Sequence, residues 1–204
     1  MPIKRLSQSS LLTFEKYSSM LAGNSAYIPV ATGYELLETQ VVGSTQQASV
    51  EFTNVNTNYG STYQHLQVRA TVKTSGSGQD KLLYMYLNGD TTLTNYRAHI
   101  LFVYNGAVDS DPWSGPLAGY GVGTTTANSF CANIIDILDP FETTKNTTVR
   151  TISGFANGTG TNSLINLQSM VWMNTNAITT IRFQSPNENI IQYSRFSLYG
   201  MRSS

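Results

Sequence analysis

His65-Leu66-Gln67-Val68-Arg69-Ala70-Thr71-Val72-Lys73 alternates strictly, with Leu66, Val68, Ala70 and Val72 on one face and Gln67, Arg69, Thr71 and Lys73 on the other. A period of two is the mark of a β-strand half-buried in an antiparallel sheet. The same period runs outward in both directions. Upstream, residues 34–42 (YELLETQVV) and 48–55 (ASVEFTNV) are joined by Gly43-Ser44-Thr45-Gln46-Gln47, which reads as a hairpin connection, with a longer crossover as the alternative. Downstream, residues 74–79 are a Ser/Gly loop, residues 81–87 (KLLYMYL) an apolar strand suited to a sandwich interior, and Asn88-Gly89-Asp90 a tight turn.

Further strands are expected at residues 96–104 (YRAHILFVY), 129–138 (SFCANIIDIL), 147–155 (TTVRTISGF), 164–173 (LINLQSMVWM) and 178–183 (ITTIRF), with residues 105–126 as the longest loop. The final strand, residues 192–200 (QYSRFSLYG), is expected to turn Gln192, Ser194 and Ser197 outward and Tyr193, Phe196 and Tyr199 inward. Eight to ten strands with turn signals about ten residues apart, and no helical pattern beyond residue 33, predict an all-β antiparallel β-sandwich. A jelly roll is the form expected.

Residues 1–33 follow another rule. Leu11, Phe14, Tyr17 and Leu21 recur at spacings of three and four behind Ser9 and Ser10 as candidate N-caps, until Gly23, Asn24 and Pro29 break the pattern. This divides the chain into a short arm, residues 1–33, and a β domain, residues 34–204. The arm cannot build a core alone, so its apolar side chains must pack on the β domain or on another protein.

Composition narrows the function. A chain of 204 residues supports one sizeable core. Lys plus Arg balances Asp plus Glu at 12 each, and no basic run extends beyond Lys4-Arg5, so the footprint of a nucleic-acid binder is missing. No apolar stretch of signal-peptide or membrane-spanning length follows the basic start at Met1–Gln8, so neither a secretion signal nor a membrane partner is expected. Cys131, the sole cysteine, rules out an intrachain disulfide and reads as a core thiol.

Motifs for chemistry are scarce. Neither His65 nor His99 stands in a metal-ligand spacing, and no nucleophile elbow or P-loop occurs. Glu35, Glu38, Glu51 and Asp136 are the strand-borne acids, and Arg69, Arg150 and Arg182 are available to pair with them, so they read as ion-pair partners before they read as a glycosidase pair. No catalytic residue, cofactor or metal is expected. Asp109-Ser110-Asp111 offers two alternating carboxylates of the kind a hard cation accepts, without the glycine and terminal glutamate of an EF-hand loop. Trp113 and Tyr120 share that Gly/Pro-rich stretch, which makes Asp109, Asp111, Trp113 and Tyr120 a candidate glycan-contact set; the competing reading has Trp113 plugging the end of the sandwich.

Several blocks occur in order along residues 34–200: Tyr34-Glu35-Leu36-Leu37-Glu38-Thr39, Tyr63-Gln64-His65-Leu66-Gln67-Val68-Arg69, Tyr86-Leu87-Asn88-Gly89-Asp90 with Asn95-Tyr96, Ile134-Ile135-Asp136-Ile137, Lys145-Asn146-Thr147-Thr148-Val149-Arg150, Ile178-Thr179-Thr180-Ile181, and Phe196-Ser197-Leu198-Tyr199-Gly200. In this combination the chain resembles a family of small tailed-bacteriophage virion structural proteins with a jelly-roll-like β domain. The leader resembles theirs in Lys4-Arg5-Leu6 and Leu21-Ala22-Gly23-Asn24. The resemblance implies a non-enzymatic protein of the virion, made in the host cytoplasm. Its arm would dock on a major capsid or tail protein through Leu11, Phe14 and Tyr17, and its domain would face outward as a capsid decoration (cement) protein or short tail fibre. It also implies a homotrimer, in which strand tyrosines such as Tyr84, Tyr86 and Tyr96 are expected to be buried between copies. A tail-tip protein binding host surface glycan is the alternative, and a polysaccharide depolymerase the third reading.

Overall fold

A computed structural model describes residues 33–125, 127–156 and 163–202. Leu11, Phe14, Tyr17 and Leu21 of the arm lie outside the described residues. The described chain runs β1 (Tyr34–Val41), β2 (Ser49–Phe52), a short helix α1 (Val55–Tyr59), β3 (His65–Val72), β4 (Asp80–Leu87), β5 (Tyr96–Tyr104), β6 (Ala107–Ser114), β7 (Leu117–Val122), β8 (Cys131–Leu138), β9 (Thr147–Phe155), β10 (Leu164–Trp172), β11 (Ile181–Gln184) and β12 (Arg195–Met201). These strands make two antiparallel sheets, a long one ordered β1-β12-β3-β8-β9-β10-β5-β6 and a short one ordered β2-β11-β4-β7.

The wiring is a jelly roll with two hairpins added. When β5-β6 and β9-β10 are set aside, the remaining eight strands form the four-strand sheets β1-β12-β3-β8 and β2-β11-β4-β7, and the chain swings from one sheet to the other as it passes along each pair. Both hairpins join the long sheet beside β8 and double its width. The core between the sheets takes Leu66, Val68 and Val72 from β3, Phe52 from β2, Leu83, Met85 and Leu87 from β4, Phe183 from β11, and Phe196 and Leu198 from β12. Across the sandwich the rings of Phe183 and Phe196 stand 5.1 Å apart.

Residues 43–47 do not close a hairpin. β1 and β2 lie in different sheets, and Val42, fully buried where the chain crosses, exchanges backbone hydrogen bonds with Tyr193 and Ser194. The final strand begins at Arg195, later than its alternation suggests. Tyr193 stands at φ 71 and is exposed, while the Ser194 hydroxyl is buried, accepting from the Lys73 N–H and donating to the Lys73 carbonyl. From there Phe196, Leu198 and Gly200 face inward, which turns Tyr199 outward with its ring under the Arg69 guanidinium at 4.9 Å. β12 is an inner strand, held between β1 and β3.

Residues 105–126 are no loop either. Asn105 and Gly106, both at positive φ, make the two-residue turn of the β5-β6 hairpin, and β7 follows. Tyr96 belongs to the interior, where its hydroxyl accepts from the Leu87 N–H and donates to the Asp90 carbonyl, so it is withheld from any contact between copies.

β7 (LAGYGV) is buried along its whole length although it edges the short sheet. Its outer backbone edge therefore needs partners other than water. Two side chains of the long sheet and the backbone just beyond β3 provide them. The Asn133 amide accepts from the Tyr120 N–H at 3.0 Å and donates to the Tyr120 carbonyl at 2.9 Å, Gln168 Nε2 donates to the Leu117 carbonyl, and the Thr74 N–H donates to the Val122 carbonyl. Gly119, at φ 152, leaves space for this approach, since a Cβ there would stand 2.2 Å from Asn133 Oδ1. Replacing Asn133 by Ala strands a buried N–H and a buried C=O, and the expected loss of stability is about 2–4 kcal/mol in denaturant unfolding. Gly119→Ala is expected to destabilise as well, and a midpoint unchanged by both substitutions would refute this account of the edge.

Candidate interaction face

The added strands carry their polarity inverted. Along the middle of β9 and β10, Thr151, Ser153, Asn166 and Gln168 face the interior, while Ile152, Ile165 and Leu167 face solvent. Register fixes the arrangement. Thr151 pairs with Gln168 and Ser153 with Asn166 on the inside; Ile152 pairs with Leu167 on the outside. Asn166 Nδ2 donates to Ser153 Oγ at 3.3 Å and to Gln168 Oε1 at 3.2 Å, whereas Thr151 Oγ1 and Asn166 Oδ1 are buried with no hydrogen-bond partner.

Outside, the paired positions line up across strands. Ile134 on β8, Ile152 on β9, Leu167 on β10 and Leu101 on β5 are successive cross-strand partners, and all four are exposed. The neighbouring row is Ala132, Gly154, Ile165, Val103 and Val108. On the other side of the Ile134 row run Asp136, Arg150, Ser169 and His99, again directly paired. An apolar block thus covers β8, β9, β10 and β5, with one polar row along its flank.

The original jelly-roll half of the same sheet is different. There Arg69 lies between the rings of Tyr34 and Tyr199 at 5.1 and 4.9 Å, its Nε donates to Gln67 Oε1, and Gln67 Nε2 donates to Asp136 Oδ1. On the outer face of the short sheet Arg182 stacks over Tyr86 at 4.9 Å, with Tyr84 edge-on to Tyr86. Both surfaces carry Arg–Tyr contacts, and on β1 Leu36 and Val41 also stand exposed. The added strands, together with Ile134 of β8, present a contiguous row of bare aliphatic groups.

The candidate glycan residues do not converge. Asp109 and Asp111 are exposed on the edge strand β6, but Tyr120 is buried in β7 among Val122, Cys131, Phe155 and Leu164, where burial pushes its phenol up to about 12. Trp113 packs on the main core with its Nε1 shielded from solvent, as a plug would. Tyr120 cannot stack a sugar, and Trp113 is not displayed. Among the described residues no group of three or more His, Cys, Asp or Glu side chains could hold a metal ion.

The strand-borne acids are dispersed too. Glu35 is paired with Arg202 at 2.9 Å, Glu38 accepts from Gln40 Nε2, Glu51 lies opposite Arg182 in the short sheet, and Asp136 is three strands from Glu38 in the long one. Three strand spacings come to about 14 Å, beyond the separation of either glycosidase geometry. An open cleft of about 630 Å³ beside α1 is lined by Tyr63, Gln64, Asp139, Phe141, Thr144 and Lys145. Asp139 and Lys145 pair with each other there, and the Glu142 carboxylate accepts from the Thr144 hydroxyl. The Asp139 N–H donates to His65 Nδ1 at 3.0 Å, which leaves that nitrogen an acceptor. His99 stands exposed with Arg97 on the outer face of β5. No protein-family model, curated protein or solved structure matches the chain.

Two measurements probe these environments. Cys131 is buried and burial pushes its thiol up to about 12, so it should resist thiol reagents near about pH 8 in the folded protein and react once unfolded. The hydrogen bond from Lys145 holds the Asp139 carboxyl below its ordinary value. A carboxyl depressed in the folded state stabilises above its unfolded pKa, about 4, and loses that contribution as the pH falls through the folded value. Asp139→Asn should therefore lower the melting temperature at neutral pH and leave it unchanged near about pH 2.

Proposed function

We propose that this chain is a non-enzymatic structural protein of a bacteriophage particle, a capsid decoration protein or short tail fibre. Residues 1–33 attach it to a capsid or tail protein, and the jelly roll is presented outward. The observation that carries the reading is the contiguous aliphatic face across β8, β9, β10 and β5. A contiguous exposed apolar patch of this kind marks an interaction surface. The ordered blocks from Tyr34-Glu35 to Leu198-Tyr199-Gly200 support the phage assignment, and a jelly roll is one of the architectures from which viral shells and their attachments are built.

Purified particles are the test. Mass spectrometry should find the chain in the virion at a fixed ratio to the major capsid or tail protein, and deletion of residues 2–30 should leave a folded domain that no longer co-purifies with particles. Absence of the full-length chain from purified particles overturns the virion assignment. Retention of the truncated chain overturns the role given to the arm.

A further inference from the structure

We infer that the outer face of β8, β9, β10 and β5 is an interface between two copies of this chain, packed face to face about a two-fold axis that runs along the strands between β9 and β10. The inference goes beyond the virion reading and does not need it. It begins with area. Leu101, Val108, Ile134, Ile152, Ile165 and Leu167 are between 43% and 69% exposed, and together they present on the order of 500 Å² of aliphatic surface. With the flanking Asp136, Arg150, Ser169 and His99 the face approaches the roughly 800 Å² per partner of a stable interface.

The second argument is that the face complements itself. Across it, in strand order, the Ile134 row reads Arg69, Ile134, Ile152, Leu167, Leu101, Ser110. The stated axis exchanges β9 with β10, β8 with β5, and β3 with β6. It lays Ile152 of one copy over Leu167 of the other and Ile134 over Leu101. In the flanking row the same operation sets Asp136 over His99 and Arg150 over Ser169. At the rim it brings Arg69 alongside the Ser110 hydroxyl, the outward side chain at that position of β6. Along the Ile134 row apolar side chains meet apolar side chains, and in the flanking row the carboxylate meets the imidazole. With a formal net charge of zero, the chain carries no overall repulsion against a second copy.

A third observation explains why these residues are outside at all. A slip of one residue in β9 and β10 would turn Ile152, Ile165 and Leu167 inward and expose Thr151, Asn166 and Gln168. The existing register is held by Val149, Met170 and Trp172 in the core, and it delivers Gln168 to the β7 edge. The outward aliphatics are therefore a fixed consequence of the fold, and their desolvation needs a partner surface of similar shape.

The experiment uses the full-length chain. Light scattering and sedimentation equilibrium from about 1 to about 100 µM should show a dimer. The exposed double substitution Ile152→Asp/Leu167→Asp, and separately Leu101→Arg, should weaken it at least about 100-fold while unfolding curves confirm an intact domain. Ile152→Val should keep the dimer, as should Tyr84→Ser on the outer face of the short sheet. A wild-type chain that stays monomeric overturns the inference and leaves the face to another protein or to the chain's own arm. An assembly indifferent to the Asp and Arg substitutions also overturns it, and an odd-numbered assembly overturns the two-fold arrangement. A dimer lost on substitution, in a chain absent from particles, would uphold this interface while refuting the virion role.

Discussion

The hydrogen bonds that close the buried edge of β7 constrain much of the rest of the domain. A strand at the margin of a sheet ordinarily gives its free N–H and C=O groups to water, and β7 cannot, because the added hairpins carry the long sheet across it. Asn133, Gln168 and the backbone of Thr74 stand in for the missing strand. To do so, β8 and β10 must aim amides inward at positions where a sandwich normally places aliphatic groups. Once that sidedness is set, alternation turns Ile134, Ile165 and Leu167 outward. The interior requirement and the exposed face are two sides of one register.

The hairpins that make this demand are tied in at a corner. After β4 the chain turns at Asn88-Gly89, both at positive φ, and leaves the short sheet for β5 in the long one. Asp90 anchors the departure: its carboxylate accepts from Trp172 Nε1 at 2.9 Å, Asn95 Nδ2 at 2.8 Å and the Thr92 N–H at 2.9 Å. Asn88 accepts from the Thr179 and Thr180 N–H groups and so fixes the segment that leads into β11. Trp172 and Tyr96, cross-strand partners with stacked rings, couple this corner to the end of the β5-β10 pairing. A compact polar cluster thus anchors β5 and β10, two of the four strands that carry the aliphatic face.

Legibility differed from strand to strand for physical reasons. β3, β4, β5 and β8 stood out because each sends one apolar face into a core and the other to water or partial exposure. β6 (AVDSDPWS) did not, because an edge strand tolerates Pro and carboxylates, which protect it from pairing with other chains. Asn105-Gly106, a strong hairpin signal, could have revealed it. β7 was hidden by its glycines, which are needed where Asn133 and the Val72 and Thr74 side chains approach the backbone. Nearness along the chain does not give Asp109, Asp111, Trp113 and Tyr120 one shared surface: Trp113 and Tyr120 are seven positions apart, yet they belong to different sheets and both pack inward.

The amino-acid pattern by itself determined that this is an all-β antiparallel sandwich, because period-two alternation and turn residues are local properties that each segment carries alone. It also determined that Cys131 is a core thiol. Which sheet each strand joins, that β12 lies inside rather than at a margin, and which face of β9 and β10 meets solvent were decided only in three dimensions. Those outcomes depend on satisfying backbone groups of a distant strand. Asn133 is 13 residues from Tyr120, and Gln168 is 51 residues from Leu117. Hydropathy cannot report such a debt, because it scores Asn166 and Gln168 as polar surface and Ile152, Ile165 and Leu167 as core. The tertiary hydrogen bonds reverse both assignments.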